Sequence, residues 1–495
     1  MNQVVQDTQS ISNISDLEWV SRKITERLSA SGDTTGIPYY HFRWKKKWLA
    51  DYVAWPRDAE QVSTVLVYAW RTHTPVIARG GGTCYYGSSS PTRGGIVIDT
   101  KSMDNILEVN RKDLWIHVQS GIVWEVLDRA LAKQGLSLTV SPQSAPASTL
   151  AGWLAIGGKA GIGTPKFGTI LENILEMTVV RPNGTIDTIT GKEMETFYGT
   201  SGIAGVVISL KLKIRVKPER TDGIMFAFGS VNRACKIVEE ISQHEIKPIY
   251  LRITDPEYEW RSQTDYPTRS KRGCFVLVTY DGTNSEVEEG LAFARELFEK
   301  AGGIDIGRDH YEKSWNDRFI IEMKLKLEVP TLSMQNFWIE PCKVGLLTNK
   351  MYEIAEKYHI NSCYYLVLGA GGRVRFCVFA PSDHRYWMHF MSGKSMLHQI
   401  VKTAYKYGAK LYTIGLQNSV YLKKYQPDDY ARFKEIRQRW DPYNIMNPDK
   451  LTHSNLTYSR INVMFTMNGY IRRLSVILRL AKNILQVPKW VKEGA

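Results

Sequence analysis

The stretch that decides the reading is PVIARGGGTCYYGSSSPTRGGIVIDT, residues 75–100. An apolar run, Val76 to Ala78, delivers Arg79 into three consecutive glycines, Gly80, Gly81 and Gly82. Thr83 follows directly, then Gly87 and Ser88. A run of this kind predicts a buried strand entering a glycine turn. Backbone N–H groups on residues without Cβ atoms can form a concave nest for a pyrophosphate. Thr83 and Ser88 add hydroxyl donors. A glycine-rich surface turn is the plainer alternative. The loop runs into another strand, GIVIDT, rather than a helix. It is therefore not the dinucleotide fingerprint, and the absence of G-K-[ST] excludes a Walker loop.

A second small-residue stretch, residues 141–168, carries Pro142, Ser144, Ser148, Thr149, Gly157, Gly158, Ala160, Gly161 and Gly168. So many small residues in one run lose much backbone entropy on folding, which favours a purpose such as close approach to a flat ligand. A tight crossover between packed strands is the structural alternative.

Working outward, a helix is expected from Asp16 to Ser31 and another from Ala59 to Thr72, capped by Asp58. Residues 174–190 read as a hairpin turning at Asn183-Gly184. GVVISLKLKIRVKP reads as a long strand closed by Pro218. Beyond Thr221 the texture changes to strand–helix alternation: residues 231–244, 285–301 and 387–408 read as helices, each following an apolar strand. This predicts a second α/β domain with its own sheet.

The length of 495 residues fits more than one domain, since single cores stop growing near about 250–300 residues. Hydrophobic residues at 43% and charged residues at 23% exclude disordered and disulfide-scaffold classes. The six cysteines form no CxxC pair, which argues against a zinc ribbon or a cluster held by this chain. The polar start shows no secretory pattern, so a cytoplasmic setting with free thiols is expected. No run of eighteen apolar residues exists. The net charge of +14 is partly local: residues 456–495 carry seven basic residues and one acid, and Arg43, Lys45, Lys46 and Lys47 form a second cluster. Residues 470–487 fit a basic amphipathic helix, with Leu474, Ile477, Leu478, Ala481, Ile484 and Leu485 on one arc. Such a helix can lie on an anionic membrane, dock on a partner, or dock on its own body. The basic residues do not interleave with an aromatic nucleic-acid motif, so no nucleic acid is expected as a partner.

The order of these motifs resembles a known family. PRDAEQV precedes R-G-x-G-T-x-x-x-G and G-G-I-V-I-D; then come T-L-A, I-G-G-x-A-G, the F-G of KFGTILENIL, V-V-x-P-N-G and G-T-S-G-I-A-G-V-V. The set closes with W-D-P-x-N-I-M-N-P-D-K. It is similar to the FAD-linked oxidoreductases of the vanillyl-alcohol oxidase and p-cresol methylhydroxylase superfamily, nearest to the D-lactate dehydrogenase and glycolate oxidase branch. The resemblance implies an α+β fold: a two-subdomain PCMH-type FAD-binding domain plus an α/β cap with a large antiparallel sheet. The implied division is an N-terminal helical extension (1–48), the FAD-binding domain (49–221), the cap (222–430), a return to the FAD domain (431–455) and the basic tail (456–495).

The resemblance also implies site residues. Arg79, Gly80, Gly81, Gly82, Thr83, Gly87 and Ser88 would hold the FAD pyrophosphate. Pro142, Ser144, Ser148, Thr149, Gly157, Gly158, Ala160, Gly161 and Gly168 would line the flavin and ribityl chain. Gly202, Gly205, Val206 and Val207 would stand beside the adenine. Asn447 and Lys450 match the family's closing N-P-G-K loop, with Asp449 in the place of its glycine. Thr83 stands where many relatives carry a tethering histidine, so the FAD is expected to be non-covalent.

The cap departs from the branch. LVLGAGGRVRFCVFAP and TIGLQNSVYLKK replace the histidine motifs that hold a metal in the branch, and His384, His389 and His398 do not reproduce the spacing. No metal is therefore expected. SWNDRF resembles the branch's W-x-x-R, which makes Arg318 the candidate carboxylate clamp. Oxidation of an alcohol also needs a proton acceptor. Tyr364, Tyr365, Arg375 and His384 are the candidates. The expected activity is FAD-dependent oxidation of an alcohol or 2-hydroxyacid-like substrate by hydride transfer to the flavin. Electrons would pass to a quinone, a partner protein or oxygen. A non-redox FAD enzyme like alkylglycerone-phosphate synthase, or a sugar or aldonolactone oxidase, are the alternatives. The tail adds the expectation of peripheral association with an anionic membrane surface.

Overall fold

The computed structural model describes residues 13–34, 48–261, 273–319, 321–452, 458–460 and 462–465. The basic cluster at 43–47 and the amphipathic segment 470–487 lie outside the described residues.

Among the described residues, three sheets organise the fold. The first holds Val20–Ser21 (β1), Tyr52–Ala54 (β2), Val76–Arg79 (β3) and Ile96–Asp99 (β4), in the order β1-β2-β4-β3. β2 and β3 both run parallel to β4. β2 and β3 thus run parallel on either side of β4, and the helix Ala59–Thr72 is the crossover that connects them. Asp58 caps that helix by accepting from the Gln61 N–H, and Val62, Val65, Leu66 and Ala69 form its buried stripe.

The second sheet holds Ile106–Asn110 (β5), Trp115–Gln119 (β6), Leu136–Leu138 (β7), Ile174–Val180 (β8), Ile186–Ile189 (β9) and Val206–Val216 (β10). The long strand β10 is its spine, pairing antiparallel with β6, β7 and β8. The predicted hairpin joins β8 to β9, with Gly184 at φ +89° and Asn183 Oδ1 accepting from the Thr185 N–H.

The third sheet has eight strands: Arg220–Phe228 (β11), Tyr250–Thr254 (β12), Cys274–Gly282 (β13), Ile304–Asp305 (β14), Thr331–Ile339 (β15), Cys363–Leu368 (β16), Val374–Ser382 (β17) and Lys410–Leu411 (β18). Their order is β14-β11-β13-β12-β16-β17-β15-β18, antiparallel throughout. Both faces are covered. One packs on the helices Val231–Gln243, Asn284–Lys300, Pro341–Tyr358 and Trp387–Lys406. The other faces the glycine-rich half of the chain, where Tyr86 and Ala160 join Tyr250, Met334, Tyr365 and Tyr412 in one buried cluster. Double coverage explains the continuous apolar runs in these strands.

The C-terminal part of the chain returns to the first sheet. Val76 N–H donates to Ile445 O at 2.8 Å, and Asn447 N–H donates to Val76 O at 2.7 Å. The cap thus lies between two segments of the half that carries the glycine loop.

One expected element is different. Residues 16–31 do not form a single helix. The structure has a short turn at Ile14–Asp16, then β1, then a helix only over Ile24–Ala30. Val20 and Ser21 pair with Ala54 and Val53 at the edge of β2, and that pairing overrides local helix preference.

Candidate active site

A cleft of about 1350 Å³, counting its open mouth, separates the glycine-rich half from the cap sheet. One wall begins at the end of β3. Gly80 and Gly81 press against residues 147–149. A Cβ on Gly80 would stand 2.1 Å from Thr149 Oγ1, and one on Gly81 would stand 2.1 Å from Ala147 O. Gly82 has φ +66°, a left-handed conformation that favours glycine. Arg79 closes the turn, donating from Nη1 to Asp99 Oδ2 at 3.3 Å and from Nη2 to Gly32 O at 3.4 Å. Thr149 Oγ1, Arg79 Nε and Ser89 Oγ are buried at this wall without a hydrogen-bond partner. A glycine cradle with unsatisfied hydroxyl and guanidinium groups fits the pyrophosphate and polar ring edges of the expected FAD.

Of the residues expected to hold FAD, residues 79–83, Ser88, Pro142, Ser144, Ser148, Thr149, Ala160, Gly202 and 205–207 line the cleft. Gly87, Gly157, Gly158, Gly161, Gly168, Asn447 and Lys450 do not line it. Their roles in the structure are different. Gly158 lies against the Trp153 ring, and a Cβ there would be 2.5 Å from it. Gly161 lies against Ser141 O. Gly87, Gly157 and Gly168 occupy positive φ at turns. Asn447 Nδ2 donates to Ser201 O, directly behind the wall at Ser201 and Gly202. Lys450 Nζ donates to Asn447 Oδ1 at 3.4 Å, and burial pushes its ammonium down to about 7 against the pull of Asp33 and Asp449.

The facing wall comes from the cap. Strand alternation divides Tyr364 from Tyr365: Tyr364 packs among the cap helices, and Tyr365 faces the glycine-rich half. Arg375 lies on the adjacent strand, where Val367 is its pair, and lines the cleft. Its Nη1 donates to Gln143 Oε1 at 3.1 Å, and its guanidinium lies over the Tyr412 and Tyr365 rings at 5.2 and 5.8 Å. Gln143 Nε2 in turn donates to the Tyr250 hydroxyl at 2.8 Å. Tyr412 reaches across to accept the Lys159 and Ala160 N–H groups at 2.9 and 3.0 Å.

The helix Ile321–Glu328 adds a residue that sequence reasoning missed. Glu322 sits in its first turn, where the helix dipole favours a carboxylate. It shares the inward face with buried Leu325, while Met323 and Leu327 are exposed. The Tyr365 hydroxyl donates to Glu322, and Arg375 Nη2 lies 3.7 Å from Glu322 Oε1. Burial, reinforced by Glu322 and opposed by Arg375, raises the Tyr85 and Tyr365 hydroxyls well above the usual phenol range. Gln143, Tyr85 and Tyr412 were also missed. Gln143 and Tyr85 had a signal, their places between Pro142 and Ser144 and between Thr83 and Gly87.

Of the four expected catalytic residues, Arg375 lines the cleft, Tyr365 bonds the lining residue Glu322 without lining the cleft itself, and two are elsewhere. Arg318 does not line the cleft. Its guanidinium stacks on the Trp315 and Phe319 rings at 4.0 and 4.4 Å, and Nη1 donates to Trp315 O at 2.6 Å. His384 lies just past the far end of β17 from Arg375, paired at 2.5 Å with Thr331 Oγ1. At about 3.3 Å per strand residue, more than roughly 20 Å separates them. Burial pushes the Cys84 thiol in the glycine loop up to about 11, with Asp33 adding to it, so it stays protonated and unreactive. Among the described residues no group of three or more His, Cys, Asp or Glu could hold a metal ion, and no helix is long and apolar enough to cross a membrane.

Comparison with known proteins agrees with this geometry. Residues 50–190 match the FAD binding domain family, and residues 217–451 match the C-terminal domain of FAD linked oxidases. The chain is 24% identical to glycolate oxidase subunit GlcD of Bacillus subtilis, over 81% of this chain and 89% of that one. It is 26% identical to a D-lactate dehydrogenase of Archaeoglobus fulgidus, over 80% and 90%. Among solved structures it resembles p-cresol methylhydroxylase with a TM-score of 0.75 at 13% identity, covering 91% and 96% of the two chains. It also resembles an alkyldihydroxyacetonephosphate synthase, with a TM-score of 0.72 at 19% identity over 91% and 86%. With its glycine cradle, its unsatisfied polar wall and both domain matches, the chain belongs to the FAD-linked oxidases and has FAD as its cofactor.

Proposed function

We propose that this enzyme oxidises a hydroxyl-bearing carbon of a small substrate, an alcohol or a 2-hydroxyacid-like compound. The observation that carries the reading is that Glu322 and Arg375 line the cleft on the cap side, Glu322 bonded to Tyr365 and Arg375 to Gln143 of the glycine-rich half. Residues 79–83 and Ser88 would hold the pyrophosphate, Pro142, Ser144, Ser148, Thr149 and Ala160 the flavin, and Gly202 with 205–207 the adenine end. Bound FAD supplies the hydride acceptor. Glu322 accepts the hydroxyl proton as the C–H bond breaks. Tyr365, held protonated by burial, cannot be the base; it donates to Glu322 and fixes that carboxylate toward the cleft. Arg375 stabilises the negative charge that develops on the substrate oxygen.

Thr83 offers no ring nitrogen and Cys84 a protonated thiol, which supports non-covalent FAD. The acceptor of the electrons is a quinone, a partner protein or oxygen. The test is anaerobic addition of alcohols and hydroxyacids to the purified holoenzyme. Bleaching of the visible flavin absorbance is the expected result. Turnover without bleaching would instead favour non-redox chemistry of the kind performed by a synthase. Yellow colour that stays with acid-precipitated protein would refute the non-covalent assignment.

A further inference from the structure

We propose that the substrate end of this cleft selects an uncharged hydroxyl compound, and that Glu322 is the residue that excludes carboxylates. The inference rests on the oxidation reading above and narrows its substrate class. Among the described residues, the charged side chains lining the cleft are Arg79, Glu322 and Arg375. Arg79 belongs to the cradle and is paired with Asp99. The substrate end therefore holds one cation and one anion, Arg375 Nη2 and Glu322 Oε1, 3.7 Å apart.

Neither charge can swing away cheaply. Arg375 is held by Gln143 Oε1 and by the Tyr365 and Tyr412 rings. Glu322 is held by the Tyr365 hydroxyl and by its place in a helix whose Leu325 is buried. A substrate carboxylate that reached Arg375 would also come near the Glu322 carboxylate, which lies 3.7 Å from Arg375 Nη2. Repulsion then offsets much of the attraction, and the cost of desolvating the anion remains. The other arginine expected to grip a carboxylate, Arg318, is stacked on Trp315 and Phe319 outside the cleft. Asn336, Thr413 and Tyr85, which also line the cleft, are neutral polar groups suited to hydrogen-bond hydroxyls.

The experiment uses the FAD-loaded enzyme and has two arms. In the first, the unmodified enzyme is mixed anaerobically with matched pairs: ethylene glycol and glycolate, propylene glycol and lactate, phenylethanediol and mandelate. The neutral member is expected to bleach the flavin at least roughly tenfold faster at equal concentration, a factor worth about 1.4 kcal/mol. In the second, oxalate, which carries no oxidisable hydroxyl, is titrated against the flavin spectrum. Glu322→Gln is expected to bind oxalate at least roughly tenfold more tightly than the unmodified enzyme, and adding Arg375→Gln is expected to remove that gain. Faster bleaching by the acids, or oxalate binding equally tight before and after Glu322→Gln, overturns the proposal. If Glu322→Gln loses FAD, the first arm decides alone. If no compound bleaches the flavin, the oxidation reading fails, and the oxalate titration still decides the charge inference.

Discussion

Arg93 grips Asp449 across 356 residues of chain, with Nη2 to Oδ1 at 2.6 Å and Nε to Oδ2 at 3.1 Å. Asp449 has φ +65°, the left-handed region that a glycine would occupy without strain. The resemblance places glycine here, and the two-pronged ion pair explains how an aspartate is held instead. The pair ties the loop after β3 to the segment that returns from the cap.

Arg93→Ala is therefore expected to loosen the closing loop. The Arg93 side chain is partly exposed, so solvent screening limits the loss to about 1 kcal/mol. Thermal melts should show a midpoint lower by roughly 1–2 °C. Asp449→Gly removes the strain together with the pair and should cost less than Arg93→Ala. Equal or larger losses for Asp449→Gly would contradict this account.

Gly81→Ala is expected to abolish FAD binding. Its Cβ would meet the Ala147 carbonyl at 2.1 Å, and backbone cannot yield as a flexible side chain can. Gly229→Ala is the control, because nothing lies within 4 Å of a Cβ there. The ratio of flavin absorbance to protein should fall toward zero only in the first variant. A normal ratio in Gly81→Ala would show that the cradle is not the cofactor site.

Lys450 makes the flavin-free protein more stable as pH rises. Burial lowers its folded-state value to about 7, whereas an unfolded lysine titrates near about 10.4. Between those values the unfolded chain binds the extra proton, so unfolding free energy increases with pH across that window. Urea unfolding followed from pH 7 to 9 should show this rise, and Lys450→Met should flatten it. An identical slope in the variant would assign the rise to other groups.

Glu322→Gln should slow anaerobic flavin reduction by about 10²–10⁴-fold, the usual worth of a general base, with flavin content unchanged. Tyr365→Phe should leave the base in place but less well fixed, and cost less. His384→Ala should change the rate by less than roughly twofold, because its partner is Thr331 at the other end of the strand. Stopped-flow absorbance measures all three. A large loss in His384→Ala together with a small one in Glu322→Gln would reverse the assignment.

The cradle was legible in the sequence because it is local. Arg79, Gly80, Gly81, Gly82 and Thr83 are consecutive, and the chemistry lies in their backbone, which glycine spacing reports directly. Pro142 to Thr149 was legible for the same reason. The glycines from Gly157 to Gly168 look alike in sequence but serve packing and turns, since smallness alone does not say which neighbour comes close. The helix expected from Asp16 failed because its partner strand, 32 or more residues further on, is not visible in a local window.

The sequence by itself determined the element pattern, the glycine cradle and, through the order of its motifs, the cofactor. Only the tertiary structure decided which side chains line the cleft. Alternation put Tyr364 and Tyr365 on opposite faces, but which face meets the cleft depends on how the cap sheet packs. Glu322, Tyr365, Arg375 and Gln143 come from a helix, two cap strands and a loop of the other half. Their hydrogen bonds and charge pairing exist only once two separately patterned halves close on each other. That closure set Glu322 beside the Tyr365 hydroxyl and Arg375, and left Arg318 stacked on Trp315 and Phe319 outside the cleft.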